Sequence, residues 1–474
     1  MIVVPVPQTT ILPRVLWQYI ARWLQGTTAI VRLRGTCRWL RRVEVYHLSR
    51  NMERTLTVER IEPVASTLRR LNISDCLNVT SEMIRGCVNL ERLNASYTNV
   101  IWFPPSLRRL NIEGCRNVTD EMIQGCVNLE RLNACDTNIT WFPRTLRRLD
   151  INGREDVTDE AMQDAFQLEW LNVSETDITW FPRTLRRLDI DGCTDVTDEM
   201  IQGCTRLKWL GASYTSITWF APTLQHLSIH ACDHVTNKML HDAFQQGHLE
   251  WLDASYTTIT WFPRTLKYLN ICGHEYINNE ILQDTFGQDA FQSGTLEELD
   301  ASYSTITWFP RTLRRLTIEG NDHVTNEILQ DTFGQDAFQS GTLEELNAAN
   351  TTITWFPRTL RRLRIYGRTD ITNEMLQDAF QQGRLEWLYA ANTTITWFPR
   401  TLRRLDISGC TNVTNEMLQD AFDHGNLEEL YASGTSITWF PRTLRRLVIY
   451  NRGFGVNRVT AEMVAHLVDC KIDR

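Results

Sequence analysis

The sequence predicts an α/β solenoid, a right-handed stack of repeated coils sharing one parallel sheet, preceded by a small helical module. Three observations predict it. A Thr-Leu-Arg-Arg-Leu motif, or a close variant, begins at residues 67, 106, 145, 184, 223, 265, 312, 359, 401 and 443. Periods of this size mark stacked supersecondary units. Each unit splits into two halves, and each half opens on an alternating apolar pattern that suits a short half-buried strand. Finally, a good helix N-cap follows the strand in the first half of every unit, Thr in nine of them (Thr80 through Thr460) and Asn278 in the tenth. Residues 280–299 and 327–346 are identical, which points to recent tandem duplication.

The unit starting at 401 shows the elements in order. Leu402, Leu405 and Ile407 form the inward side of a strand. Val413 follows, and the Thr414 hydroxyl can accept from the free N–H groups of a first helical turn. Glu416 then lies near the positive end of that helix. Met417, Leu418, Ala421 and Phe422 supply its apolar face. The second half, from Leu427, leaves only 17 residues before Leu444, too few for a strand and a full helix. Pro441 removes a donor and fixes φ, so this return is expected to be extended or turn-like.

The first half resembles the cysteine-containing leucine-rich repeat, with its L-x-x-L-x-I-x-x-C-x-x-V-T pattern. The second is similar to the short L-x-x-L-x-L-x-x-N-x-L-x-x-L-P repeat, with Thr in place of Asn and Ala in place of one Leu. The resemblance covers about residues 67–470 and implies parallel strands on the concave face, with helices and turns behind. Domain boundaries follow: a helical head at 1–50, a linker or capping half-repeat at 51–66, the solenoid at 67–447 and a C-terminal cap at 448–474.

The head is a different module. Residues 1–50 hold eight arginines and one acid, Glu44, within a chain of net charge −8. Leu12, Leu16, Ile20 and Leu24 recur every four residues, an amphipathic helix after Pro13. Such a helix can cap the first coil, bind a partner, or touch membrane or nucleic acid. The module resembles an F-box, although Trp39 directly follows Arg38 where the family spaces them. That resemblance implies a Skp-type adaptor of a cullin–RING ubiquitin ligase as partner. The implied adaptor contacts are Leu12, Pro13, Leu16, Ile20, Leu24, Ile30, Leu33, Cys37 and Trp39. Near-identical arrays behind such a head also resemble proteins of amoeba-infecting giant viruses, which would place the chain in a host cell.

Composition narrows the function classes. No segment approaches a membrane span, and the N-terminus lacks the charged and apolar regions of a secretory signal, so an intracellular location, cytoplasmic or nuclear, is expected. Cys76, Cys115, Cys193, Cys232 and Cys410 share one repeat position, and Cys87, Cys126 and Cys204 another. They read as small core residues, not as disulfides or metal ligands. No catalytic motif appears, and neither a cofactor, a metal nor a small-molecule substrate is implied.

Two repeat-locked columns read as structural. The arginine pairs beginning at Arg69, Arg108 and Arg147 alternate with Glu91, Glu130, Glu169 and their equivalents. This predicts a ladder of opposite charges and disfavours a nucleic-acid track. Nine tryptophans from Trp102 to Trp439 stand just before Phe and are expected to pack on neighbouring helices. The positions that vary are more informative. Trp170, Trp209, Trp251, Tyr268, Tyr366, Trp387, Tyr389, Tyr431 and Tyr450 fall on or near the concave strands. Aromatic side chains there suit a binding surface for a target protein. The sequence thus reads as a substrate receptor that links a target to a ubiquitin ligase, the alternative being an interaction scaffold with no ligase link.

Overall fold

The structure is a computed structural model that describes residues 47–49, 62–287, 296–334, 343–380, 383–422, 427–449, 467 and 471–473. The chain divides into two compact units, residues 1–206 and 207–474.

The first unit is built on three-residue strands. They run from His47–Ser49 through Arg70–Asn72, Arg92–Asn94, Arg109–Asn111, Arg131–Asn133, Arg148–Asp150 and Trp170–Asn172 to Arg187–Asp189. Each pairs in parallel with the next, with no offset, so Leu71, Leu93, Leu110, Leu132, Leu149, Leu171 and Leu188 form one row. The second unit repeats the design from Trp209–Gly211 to Lys471–Asp473, its leucine row running from Leu210 through Leu447 to Ile472. The sheets thus take in strands His47–Ser49 and Lys471–Asp473 from the segments expected as head and cap. These coils are leucine-rich repeats.

Register follows from what each strand buries. The central leucine points inward and the residues on either side point out, giving one buried side chain between two partly exposed ones. A slip of one residue would turn every leucine to solvent. Leu68, Ile73, Leu90 and Ala95 complete the inward set of one repeat, all at most marginally exposed, and Phe103 closes the return behind them.

Helix length tracks the repeat interval. Ser81–Ile84, Asp120–Ile123, Asp159–Met162 and Asp198–Ile201 are single turns. After three of them a small buried thiol, Cys87, Cys126 or Cys204, fills the space behind the strand. The longer repeats hold eight-residue helices, such as Asn237–Phe244 and Asn326–Phe333, where Phe244 and Phe333 fill it instead. The predicted caps form on longer helices, where Asn278 accepts from the Ile281 N–H at 3.0 Å and Thr325 from Ile328 at 3.4 Å, while on the single-turn helix Asp159–Met162 the Thr158 side chain makes no such bond. One expectation fails. Met417 is 37% exposed and not part of a buried face, whereas Leu418 is buried. The equivalent Met200 shows the reason, since its Sδ accepts from the Thr197 N–H at 3.4 Å and is drawn outward to the helix start.

The buried threonines of the short halves replace an asparagine ladder. Thr98 donates to the Ala95 carbonyl at 2.7 Å and accepts from the Val100 N–H at 3.4 Å. Thr137, Thr215, Thr257 and Thr351 donate to the equivalent carbonyls. The tryptophan column is half-buried, and in one repeat the helix contact is direct, with Trp261 meeting His241 edge-on at 5.2 Å. All the adaptor contacts implied for residues 12–39 lie outside the described residues, as does Tyr450.

Candidate binding face

Among the described residues, the first and third positions of most strands face outward, so each sheet surface carries two columns. The expected charge ladder occupies the residue just before each strand. Arg147 meets Glu169 at 2.6 Å, Arg314 meets Glu344 at 2.7 Å and Arg403 meets Glu428 at 2.5 Å, and Arg108 is paired with Glu130. Glu130 also lies between two arginine strands by backbone bonds, its N–H donating to the Arg108 carbonyl and its own carbonyl accepting from Arg147. Such exposed pairs are each worth no more than about 1 kcal/mol and serve mainly to match neighbouring coils.

The first strand position is where the coils differ. In the second unit, zero-offset pairing brings Trp209, His226, Trp251 and Tyr268 side by side. Trp209 stacks on His226 at 4.8 Å and on Trp251 at 5.5 Å, and Trp251 lies almost parallel to Tyr268 at 4.7 Å. Offset stacks of this kind contribute about 0.5–1.5 kcal/mol per pair beyond burial. They hold the rings in one orientation while leaving the outer faces partly exposed. Burial and the nearby carboxylates Asp253 and Asp300 push the Tyr268 hydroxyl above its usual range, so it stays a neutral donor.

The other expected aromatics fall into separate groups. Trp387 is held between two guanidinium groups, Arg362 at 3.7 Å and Arg404 at 4.3 Å from its ring. Tyr389 faces Arg364 at 5.1 Å and Tyr431 faces Arg446 at 5.4 Å. Trp170, in the first unit, lies 5.5 Å from Arg187. Tyr366 stands beyond its strand, and burial with the neighbouring Glu319 pushes its hydroxyl up to about 12. Four residues therefore form one continuous aromatic surface, while Trp387, Tyr389 and Tyr431 are already occupied by arginines.

Sequence reasoning missed a second aromatic row at the strand ends. Tyr97, Tyr214, Tyr256 and Tyr303 are exposed and have φ between 52° and 57°. A tyrosine is uncommon in this left-handed region. Tyr97, Tyr256 and Tyr303 lie over Gly114, Gly273 and Gly320, where an added Cβ would come within 2.4 Å of the ring. Tyr214 instead bonds His230 at 2.7 Å, and His230 meets Tyr256 edge-on at 5.3 Å. The signal was the recurring Ser-Tyr-Thr or Ser-Tyr-Ser tripeptide at 96, 213, 255 and 302. His226 was missed because it occupies a site filled by Arg in most units.

No protein-family model and no curated protein matches the chain. Among solved structures, an internalin from Listeria monocytogenes is similar, at 17% identity and a TM-score of 0.40, over 71% of this chain and 90% of that one. The leucine-rich-repeat fold rests on the strand register and the buried leucine rows. No helix among the described residues is long and apolar enough to cross a membrane.

Proposed function

We propose that this chain is a protein-binding receptor whose target docks on the aromatic surface of residues 209–268, and that its head links the target to a Skp/cullin-type ubiquitin ligase. The stacked Trp209, His226, Trp251 and Tyr268 carry the docking half of this reading. Other coils fill the same strand position with Arg or Glu and keep the same register, so packing does not demand aromatic rings there. Preordered, partly exposed rings are what protein interfaces use as anchors. The Tyr214–His230–Tyr256 row extends the same surface at the strand ends. The ligase half rests on the F-box-like pattern of residues 12–39. The described cysteines are all free thiols, the state a reducing compartment maintains, which supports an intracellular location.

Affinity capture with mass spectrometry, run on three proteins in parallel, tests both halves. Wild type is expected to retain a target and a Skp-type adaptor. The Trp209→Ala/Trp251→Ala protein is expected to lose the target and keep the adaptor. Leu12→Ala/Pro13→Ala is expected to do the reverse. If the adaptor is never retained, the chain is a scaffold with no ligase link. If the tryptophan variant retains every wild-type partner, the docking surface is wrong.

A further inference from the structure

The first strand position of the first unit carries a different surface. Arg70, Arg92, Arg109, Arg131 and Arg148 stand directly opposite one another on successive strands. Strands lie about 4.8 Å apart, so the five form a column about 19 Å long. Like charges directly opposite are destabilising. Elsewhere the chain neutralises this position: Arg315 meets Glu298 at 2.9 Å, Arg362 meets Glu345 at 3.3 Å and Arg404 meets Glu429 at 2.6 Å. Among the described residues, no carboxylate lies within ion-pair distance of the five arginines from 70 to 148. Burial and the neighbouring arginines lower the proton affinity of Arg92 and Arg109, the direction that mutual repulsion produces.

Beside this column runs a row of amides, Asn72, Asn94, Asn111 and Asn133. Each Oδ1 accepts from the backbone N–H two residues ahead, at 2.9–3.1 Å. That contact fixes each amide and turns its NH2 group away from the turn. Among the described residues, the Nδ2 atoms of Asn72, Asn94 and Asn111 donate to nothing. Arginines and amides line most of one shallow trough, which ends at Asp150 and Trp170.

We propose that this trough binds an extended acidic peptide segment, with its carboxylates on the arginine column and its main-chain carbonyls on the asparagine amides. The proposal rests on the reading of the strand face as a protein-binding surface and adds the chemistry of a second segment. An extended chain rises about 3.3 Å per residue, so about six residues span the column. Nucleic acid fits less well. The positive strip is one side chain wide, with the neutral Arg–Glu ladder on one side and Glu113 and Asp136 on the other. Trp170, at one end, is the single ring lining the trough, so successive bases would find no row of rings on which to stack.

Fluorescence anisotropy of the full chain with labelled octaglutamate and labelled oligothymidylate tests this. Octaglutamate is expected to bind, more weakly as salt is added. Arg92→Glu/Arg109→Glu/Arg131→Glu should weaken it by about a hundredfold or more, since three attractive charges become repulsive. The corresponding triple Lys variant should retain most of the binding, and Arg315→Glu/Arg404→Glu should leave it unchanged. Circular dichroism of each variant confirms folding. Absent octaglutamate binding, equal binding by the triple Glu variant, or tighter oligothymidylate binding would each overturn the proposal. Target capture through Trp209 and Trp251 in the same preparations separates the two claims: capture without peptide binding removes only the trough, and peptide binding without capture removes only the aromatic docking surface.

Discussion

One buried position shows how much a single residue decides. Cys115, Cys193, Cys232 and Cys410 each donate a thiol proton to the Ala or Val carbonyl of the preceding short half, at 3.0–3.1 Å. The sequence identified them as core residues but not as donors. Three units lacking Cys keep a donor here with other side chains, whereas His274 leaves its Nε2 buried without a hydrogen-bond partner among the described residues. Arg154 and Arg368, almost fully buried, reach the Ala134 and Ala348 carbonyls at 3.3 Å and extend to Asp156 and Asp370 near the surface. Asn321 donates to the Ile306 carbonyl at 2.9 Å. His274 occupies the same place, its Nδ1 accepting from the Tyr276 and Ile277 N–H groups at 3.2 Å. Burial holds its pKa below the usual imidazole range, only partly offset by the Ile259 carbonyl. The unfolded chain therefore takes up a proton near the ordinary value of about 6.5 while the folded chain does not. Stability from this group is present at neutral pH and declines as pH falls below about 6.5. His274→Asn should remove that component, so the thermal midpoint of the variant should fall less than that of wild type between pH 7 and 5. Equal slopes would show that His274 does not titrate differently on folding.

At the scale of the element, the joint between helix and return recurs through the chain. The first helical residue clamps the tryptophan segment of the next half. Asn326 Oδ1 accepts from the Thr354 and Trp355 N–H groups at 2.9 and 3.0 Å, and its Nδ2 donates to the Thr354 hydroxyl at 2.8 Å. In the first unit Asp120 and Asp159 accept from the same two N–H groups and from the threonine hydroxyl. The caps were legible because they depend on local spacing. This clamp was not, because it joins residues far apart in sequence. Asn326→Ala leaves two partly buried N–H groups without that acceptor and should cost about 1–3 kcal/mol. Asn326→Asp, by the precedent of Asp120, should cost less. Hydrogen exchange at Thr354 and Trp355, faster in the Ala variant only, is the expected signature.

At the scale of the whole molecule, each coil's strand pairs only with the strands before and after it within its unit. Stability then approximates a sum over coils and their nearest-neighbour interfaces. Leu405 is fully buried in its row, and Leu405→Ala should remove about 3 kcal/mol locally. The loss should appear as faster hydrogen exchange over residues 383–449, with the protection of residues 70–189 unchanged. Uniform acceleration over both ranges would show that unfolding is cooperative across the chain.

The sequence by itself determined the coil: its inward leucines, its capped helices, its non-helical return and the zero offset of its strands. All of these follow from apolar spacing within a few residues. Tertiary structure decided which outward side chains become neighbours, because one column joins residues from different coils and the coils vary in length. Trp209, His226, Trp251 and Tyr268 are scattered in sequence but continuous on the sheet. The arginine pairs make the same point. Arg69 meets Glu91 at 3.1 Å, while the adjacent Arg70 stands opposite Arg92. Two consecutive residues with the same side chain thus enter different columns, one neutralised and one positive. Successive residues of a strand point to different neighbours, and only the stacked coils specify what those neighbours are.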